Sequence, residues 1–154
     1  GLLFVMTNRS ALHTTIDLLS RRSYSQQQLL QKLRQKGYQD DEVSDALEYA
    51  QQNAWLDDRS YAASLTRARV SKGYGKNYIK QYLQTKGISG DLAIEVLEQD
   101  DWDWYQAIEL CFNKKFKQGL PSDRMQKKKC TAYLFRRGFD FELINILYSE
   151  LQQQ

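Results

Sequence analysis

The chain has 154 residues, of which 42% are apolar and 27% charged, and its formal net charge is +3. This composition excludes a disordered chain, and no apolar run approaches the ~20 residues that a membrane-spanning helix needs. A single proline and many glutamines favour an all-α fold. Because the opening "GLLFVM" is also too short for the apolar core of a signal peptide, we expect a soluble, cytoplasmic protein. Residues 1–10 are predicted to be an N-terminal extension, derived in part from cloning because Gly1 stands in place of Met.

In chain order, amphipathic helices are predicted at residues 11–22, 58–72 and 102–117, and each is followed by two further helices. Ser25 and Gln28 form a capping box for the helix that follows the first segment. The second segment carries Tyr61, Leu65 and Ala68 at the i, i+4, i+7 spacing of a buried stripe. Breaks at "KGYGK" (72–76) and "QGLPSD" (118–123) separate the later segments from the helices after them.

A glycine motif recurs in the chain as "LRQKGY" at 33–38, "LQTKGI" at 83–88 and "LFRRGF" at 134–139. Residues suited to a core recur around the glycine at helical spacing. The aligned sets are Leu29, Ile79 and Cys130; Leu33, Leu83 and Leu134; Val43, Ala93 and Ile144; Ala46, Val96 and Leu147; and Leu47, Leu97 and Tyr148. The pattern predicts three tandem three-helix repeats, at 11–55, 56–100 and 101–154, that form an elongated, curved body.

Each recurring glycine is predicted to end a helix by taking a positive φ, with a basic residue just before it at the negative helix end. The apolar residue after the glycine is expected to pack back on the finished helix. These residues are Tyr38, Ile88 and Phe139. Asp40, Ser89 and Asp140 are the predicted caps of the helices that follow.

Charge is segregated along the chain. Residues 20–37 hold five bases and no acid, 66–88 hold six bases and no acid, and 113–137 hold nine bases with Asp123 as the one acid. Residues 38–58 and 88–112 each hold seven acids and no base. The basic second helices suit phosphate groups or an acidic protein groove, but pairing with the acidic third helices, or exposure to solvent, explains them equally.

Two groups of cations favour a partner more strongly. Lys127 to Lys129 are consecutive, and Lys76 and Lys80 repel one another at i, i+4 unless an anion lies across them. Sequence-specific DNA reading is not expected, because the helix after each glycine turn is acidic in the first two repeats.

The sequence shows no arrangement typical of an active site. His13 is the only histidine, which excludes histidine triads and multi-histidine metal sites. "GYGK" lacks the spacing of a phosphate-binding P-loop. Two carboxylate pairs stand at repeat boundaries, where they are predicted to cap helices: Asp57 with Asp58, and Asp100 with Asp101. We expect a protein without enzymatic activity, cofactor or metal.

Aromatic residues and cysteines allow further predictions. The three tryptophans lie at repeat boundaries, where core between repeats is the first interpretation and a stacking platform for bases the alternative: Trp55, Trp102 and Trp104. Tyr74 and Tyr78 lie in a basic stretch and are candidates for aromatic contact with a partner. Cys111 and Cys130 are predicted to be buried, reduced thiols.

Residues 55–88, "WLDDRSYAASLTRARVSKGYGKNYIKQYLQTKGI", resemble the signature region of the bacterial RecX family, chiefly in "LDD..YA", "KGYG" and "L..KGI". "LLSRRSYSQQQLLQKL" at 18–33 and "FRRGF" at 135–139 resemble the first and third units of that family. The resemblance implies tandem three-helix repeats and a modulator of the RecA recombinase. Such proteins associate with the RecA filament on single-stranded DNA and inhibit strand exchange, ATP hydrolysis and coprotease activity.

The resemblance and the charge pattern together give the expected contact residues. They are Lys72, Lys76, Lys80, Lys86, Lys127, Lys128, Arg136 and Arg137, then Arg67 and Arg69, with Tyr74 and Tyr78. The expected partner is the RecA filament, with single- or double-stranded DNA bound without sequence specificity, and the protein is expected to be a monomer. Two alternatives stay open: a helical module that acts by occupying DNA, and a helical-repeat scaffold for an unrelated protein.

Overall fold

The computed structural model describes residues 9–99 and 101–154, and within them the chain is all-helical. The predicted all-α class is therefore confirmed. The predicted extension, apart from Arg9 and Ser10, lies outside the described residues. The helices are α1 (Ala11–Arg21), α2 (Gln26–Gln35), α3 (Asp40–Gln52), α4 (Asp58–Val70), α5 (Lys76–Thr85), α6 (Gly90–Gln99), α7 (Trp104–Lys115), α8 (Arg124–Arg136) and α9 (Phe141–Gln152).

The positions that recur around the glycines form the core of each repeat. Three aligned positions are completely buried in all three repeats: the eighth and the fourth residue before the glycine, and the sixth after it. These residues are Leu29, Ile79, Cys130, Leu33, Leu83, Leu134, Val43, Ala93 and Ile144. The two remaining aligned sets are buried as well. Because these residues share one face of each helix, their burial packs the second and third helix of a repeat against each other.

The helix ends at the three corners follow the predicted glycine geometry. The φ angles are +94° at Gly37, +88° at Gly87 and +105° at Gly138. At the third corner the amide of Phe139 donates to the carbonyl of Leu134 at 3.2 Å, and the first corner has the corresponding bond. The residues after the glycines pack inward as predicted, with Ile88 and Phe139 buried and Tyr38 half-buried.

The caps of the third helices lie two residues after the glycine. Ser89 and Asp140 are confirmed, and their oxygens accept backbone amides at 3.2 and 2.8 Å. In the first repeat this position is Gln39, whose side chain makes no capping bond. The prediction for Asp40 was wrong because Asp40 lies one residue further along, inside α3, where its carboxylate is 3.1 Å from Arg34 Nε.

The buried face of α4 differs from the predicted stripe. Ala62 and Thr66 are completely buried, whereas Tyr61 and Leu65 are half-buried and Ala68 is exposed. The predicted stripe was wrong, because the two completely buried positions each lie one residue after Tyr61 and Leu65.

Carboxylates cap two helices at the repeat boundaries. Asp57 accepts the Ser60 amide at 3.2 Å at the start of α4, as predicted, and the hydrogen bonds from Ser60 lower the pKa of this carboxyl. The cap of α7 is Asp103 rather than Asp101, because the helix begins at Trp104. The predicted role of Asp100 lies outside the described residues.

Contacts divide the chain into two compact units. The first unit consists of the chain up to Ala62 together with the short segment Lys86–Ile88. The second consists of Ala63–Thr85 and Ser89–Gln154. The core of the first unit is formed by side chains from α1, α2 and α3, and the largest core of the second by side chains from α7, α8 and α9. The repeat boundaries predicted from the sequence stay a proposal.

Within the first unit, the corner of the second repeat packs on the start of α2. Ser25 Oγ donates to the carbonyl of Lys86 at 2.6 Å and also completes the predicted capping box. A Cβ on Gly87 would lie 2.6 Å from Ser25 Oγ. Asp58, predicted to cap its own helix, instead accepts the Gln26 amide of α2 at 2.8 Å. We call this contact the first joint.

The tryptophans are less buried than expected. Trp55 is 46% exposed and rests against Tyr49, with ring centres 5.7 Å apart, so its predicted core position was wrong. Trp102 is half-buried and its Nε1 donates to the carbonyl of Val96 at 2.9 Å, which connects the second repeat to the third inside the second unit. Trp104 is half-buried.

The cysteines behave as predicted. Cys111 and Cys130 are free and buried, and burial raises the pKa of both thiols. His13 is exposed. In the part of the chain that the structure describes, no group of three or more potential ligands could hold a metal ion. No helix there is long and apolar enough to cross a membrane.

Candidate partner-binding surface

The loop before α5 packs on the corner that ends α8, inside the second unit. The Gly75 amide donates to the carbonyl of Arg137 at 2.8 Å, and the Asn77 amide donates to that of Gly138 at 3.0 Å. A Cβ on Gly75 would lie 2.5 Å from the carbonyl carbon and oxygen of Gly138, so a larger residue does not fit here. This second joint brings together the "KGYG" and "FRRGF" motifs, which are distant in the sequence.

The two joints are equivalent. Ser25 and Gly75 hold the same place in their repeats, immediately before the second helix, and Lys86 and Arg137 both precede a corner glycine. In each joint the residue before the second helix donates a hydrogen bond to the carbonyl of that basic residue. The corners at Gly87 and Gly138 are thus each fixed by the start of a second helix from the preceding repeat.

Six side chains of the second unit surround the second joint, and we call them the tyrosine–arginine cluster: Arg69, Tyr74, Tyr78, Tyr82, Tyr133 and Arg137. Tyr74 and Tyr78 stack with ring centres 4.3 Å apart. The Arg137 guanidinium carbon lies 4.7 Å from the Tyr74 ring centre. The Arg69 guanidinium carbon lies 4.2 Å from the Tyr82 ring centre, within the range of cation–π attraction.

Both arginines of the cluster keep their positive charge. The hydrogen bond to Tyr82 raises the pKa of Arg69, and the bond to Tyr133, in which Arg137 Nε donates to the hydroxyl at 3.2 Å, raises the pKa of Arg137. Aromatic rings and phenol oxygens hold a guanidinium in place without cancelling its charge, unlike a carboxylate. The cluster is therefore a rigid, partly apolar surface with two fixed cations.

Sequence reasoning found four members of the cluster and missed two. Arg69, Tyr74, Tyr78 and Arg137 were predicted, but the chain gives no local sign that α8 reaches α5. A signal for Tyr82 was present, since Tyr78 and Tyr82 are four residues apart on α5 and so share a helix face. Tyr133 is likewise four residues before Arg137.

The predicted lysines of the middle repeat are in different situations. Lys72 is exposed in the turn after α4, and Lys80 is half-buried on α5. Lys76 Nζ lies 3.8 Å from Glu98 Oε1 on α6, so the chain itself supplies an anion for Lys76. Lys86 belongs to the first unit, where its carbonyl takes part in the first joint.

The remaining predicted cations lie near the cluster or on the far part of α8. Arg136 is exposed beside Arg137. Arg67 is exposed, with its guanidinium carbon 5.7 Å from the Trp102 ring centre. Lys127 and Lys128 lie near the start of α8, on a cleft against α9.

Comparison with protein families matches three models in succession. They are described as the first, second and third three-helix domains of RecX, and they match residues 11–49, 57–97 and 101–147. The chain belongs to the RecX family. This membership confirms the resemblance read from the signature motifs and the threefold repeat of three helices.

Relatives named Regulatory protein RecX are similar over most of their length. That of Actinobacillus pleuropneumoniae is 40% identical over 134 residues, covering 87% of this chain and 87% of the relative. That of Haemophilus influenzae is 37% identical, covering 84% and 86%, and that of Vibrio vulnificus is 34% identical, covering 89% and 90%. The family is thus one of regulatory proteins by name.

Solved structures share the fold. The crystal structure of RecX from Lactobacillus salivarius has a TM-score of 0.82 with this chain at 21% identity, covering 94% of this chain and 96% of that one. A second crystal structure, of regulatory protein RecX, has a TM-score of 0.73 at 20% identity, covering 94% and 72%. At this identity the likeness shows the fold alone.

Proposed function

We propose that this protein binds the RecA filament on single-stranded DNA and inhibits its recombinase, ATPase and coprotease activities without catalysing a reaction. Membership of a family of regulatory proteins supports a regulatory role. We also propose that the protein is a monomer and acts in the cytoplasm. The RecA filament is a long lattice, so several weak contacts on one folded body give avidity without a deep pocket.

The observation that carries the proposal is the second joint. It brings the "KGYG" motif next to the "FRRGF" region, both of which resemble the family, and the tyrosine–arginine cluster surrounds their contact. Lys72 and Arg136, both exposed, extend the positive charge of the cluster into solvent. A fixed surface of this kind suits an acidic, repetitive partner better than a small substrate.

The proposal is tested by reversing two charges beside the cluster. In Lys72→Glu/Lys80→Glu, we expect inhibition of the DNA-dependent ATPase of RecA to need at least about tenfold more protein, which corresponds to a loss of about 1.4 kcal/mol. Neither lysine makes an ion pair within the described residues, so the helices should stay intact. Lys76 is kept unchanged because its reversal would also break the contact with Glu98.

A matched control changes the same net charge in the first unit, with Lys32→Glu/Lys36→Glu, and should inhibit as the wild type does. Circular dichroism verifies that both variants remain helical. Undiminished inhibition by the Lys72/Lys80 variant with a normal spectrum would refute this assignment of the surface.

The alternative, a module that acts by occupying DNA, predicts a different dependence on salt. Affinity for naked DNA would fall steeply as salt rises, and inhibition of RecA would fall in parallel with it. Inhibition that persists at a salt concentration where naked DNA is no longer bound supports contact with the filament protein.

A further inference from the structure

A cleft runs between α8 and α9, inside the second unit, and has a volume of about 520 Å³. Its α8 wall carries three cations and its α9 wall three neutral polar side chains. They are Arg124, Lys127 and Lys128 on one side, and Asn145, Ser149 and Gln152 on the other. The first three are spaced i, i+3, i+4 and the second three i, i+4, i+7, so each set occupies one helix face.

The cations of the cleft are not neutralised by the chain. Within the described residues, Arg124, Lys127 and Lys128 make no ion pair, and no carboxylate lines the cleft. Some other bases are neutralised by the chain, since Lys76 has Glu98 and Arg34 has Asp40. Cations three and four residues apart on one helix repel one another, so an anion between them would be stabilising.

The position of the cations on α8 adds to this repulsion. Arg124 is the first residue of the helix, and the first turn contains no acidic residue. Positive side chains at the positive end of a helix are unfavourable, whereas an anion at this end is stabilised. The cap residue Asp123 accepts the Gln126 amide and so satisfies one donor of the helix end.

The floor of the cleft is neutral and already hydrogen-bonded. Tyr148 is 7% exposed, and its hydroxyl lies 2.9 Å from Thr131 Oγ1. Lys127 Nζ lies 5.3 Å from the centre of the Tyr148 ring. Because this ring is buried in the core, it is not available to stack on a base. The groups left for a ligand are cations, amides and hydroxyls.

We propose that the α8–α9 cleft binds phosphodiester groups of a nucleic-acid strand without reading its bases. An arginine fork, two ammonium groups and neutral donors match the several oxygens of a phosphate, and such contacts position a strand without sequence information. The inference deepens the proposed function, on which its role at the filament rests. In this assignment the α8–α9 cleft contacts the nucleic-acid strand of the filament, and the tyrosine–arginine cluster contacts its protein.

The test removes two charges from the cleft. Arg124→Gln/Lys128→Gln alters two exposed side chains and should preserve the fold, which circular dichroism verifies. Anisotropy of a labelled single-stranded oligothymidine should show about tenfold weaker binding at low salt. The slope of log affinity against log salt should decrease by about 1.4, because each phosphate contact to a single strand contributes roughly 0.7.

The matched control, Lys114→Gln/Lys117→Gln, removes the same charge from exposed positions of the second unit outside the cleft and should keep the wild-type slope. Two results would overturn the proposal. Equal loss of oligonucleotide affinity in both variants would indicate diffuse electrostatic attraction, and no loss in either variant would show that the cleft is not a binding site. Displacement of the oligonucleotide by polyglutamate as effectively as by unlabelled DNA would also overturn it in favour of an acidic protein.

Two further measurements are needed. One distinguishes a nucleic-acid strand from free phosphate as the ligand, and the other distinguishes failure of this inference from failure of the proposed function. Millimolar inorganic phosphate that displaces the strand completely would show a site for the free ion and contradict a strand site. The cleft is judged on naked oligonucleotide, whereas the proposed function is judged on inhibition of the RecA ATPase by the wild type. Failure of inhibition with normal strand binding therefore counts against the proposed function alone.

Discussion

Gly75 is the residue on which the second joint depends most directly. Its φ is not in the left-handed region, so its backbone conformation alone does not require glycine. The requirement comes from proximity, because the backbone of Gly138 lies where a side chain would begin. A tyrosine–arginine cluster assembled from two repeats is possible only because two backbones can approach at this point.

Substitution of Gly75 should therefore weaken the second joint. For Gly75→Ala we expect a loss of about 1–3 kcal/mol in the free energy of unfolding, typical of forcing an extra methyl into a packed site. Urea unfolding followed by circular dichroism measures it. The control is Gly90→Ala, where the new Cβ would meet only the mobile end of Gln84 at 2.9 Å, and stability should be unchanged or slightly higher. Equal stability of the two variants would contradict the steric argument.

At the scale of single residues, the sequence predicted burial well where periodicity and alignment agreed. Leu33, Leu83 and Leu134 were recognised because three repeats report the same position independently. Trp55 was misjudged because a large side chain at a repeat boundary is not buried by size and position alone, and this one is 46% exposed. The contact of Arg137 with Tyr74 was not predictable, because residues 74 and 137 are distant in the sequence and only the fold brings them together.

Among the helices, α3 differs from its equivalents at its start. α6 and α9 begin after a side chain that accepts a backbone amide, whereas α3 begins after Gln39, which does not. The acidic first turn of α3 compensates in part by favourable interaction with the helix dipole. The amide that an N-cap side chain would accept, that of Glu42, donates instead to Asp41 Oδ1 at 2.9 Å, so a residue inside the helix replaces the cap.

An N-cap side chain at this position should stabilise the first unit modestly. Gln39→Ser places a hydroxyl at the position of Ser89, and we expect a gain of about 0.5 kcal/mol in the free energy of unfolding, at the low end for a cap because Asp41 already accepts the Glu42 amide. Serine is preferable to aspartate because Asp40, Asp41 and Glu42 already crowd the first turn with negative charge. Gln39→Ala, compared by thermal unfolding, should give no gain, and a gain of equal size would show that capping is not the cause.

Helices and corners were predictable because their determinants are local. A capping box, a glycine with positive φ and a returning apolar residue act within a few residues of one another. The joints were not predictable, because Ser25 donates to a residue 61 positions away. The same holds for the proposed surface. The sequence shows which residues are charged, but it does not show which of them are neutralised by a partner in the fold, as Lys76 is by Glu98.

For the molecule as a whole, the largest core contains groups that resist ionisation. Cys111, Cys130 and Tyr148 all belong to the core of the second unit, and burial is the main cause that raises the pKa of each. Such groups ionise more readily in the unfolded chain. The folded state therefore binds more protons than the unfolded state at alkaline pH, and its stability must fall as pH rises.

We expect the free energy of unfolding to decrease as the pH rises from about 8 to 10, because thiols with the unperturbed pKa of 9.0 ionise in the unfolded chain over this range. Each thiol that ionises only on unfolding contributes up to about 1.4 kcal/mol per pH unit. Urea unfolding at a series of pH values measures the slope. Cys111→Ala/Cys130→Ala should be less stable at pH 7 but flatter above pH 8, and an identical slope would exclude the thiols as its source.

The basic and acidic stretches of the chain are partly matched with each other and partly available to a partner. Contacts such as Lys76 with Glu98 join a basic second helix to the acidic third helix of the same repeat, as one interpretation of the sequence held. The tyrosine–arginine cluster and the α8–α9 cleft retain their charge. A net charge of +3 therefore understates the local positive charge that a polyanionic lattice would meet.

The corner at Gly37 is built like the two that are docked, yet a Cβ placed on it would meet nothing within 4 Å among the described residues. Its counterparts at Gly87 and Gly138 are each met by the start of a second helix from the repeat before. An engineer could therefore graft a further three-helix module ahead of Ala11, with serine or glycine before its second helix. The array is extensible in that direction by the stereochemistry it already uses, with neither present joint redesigned.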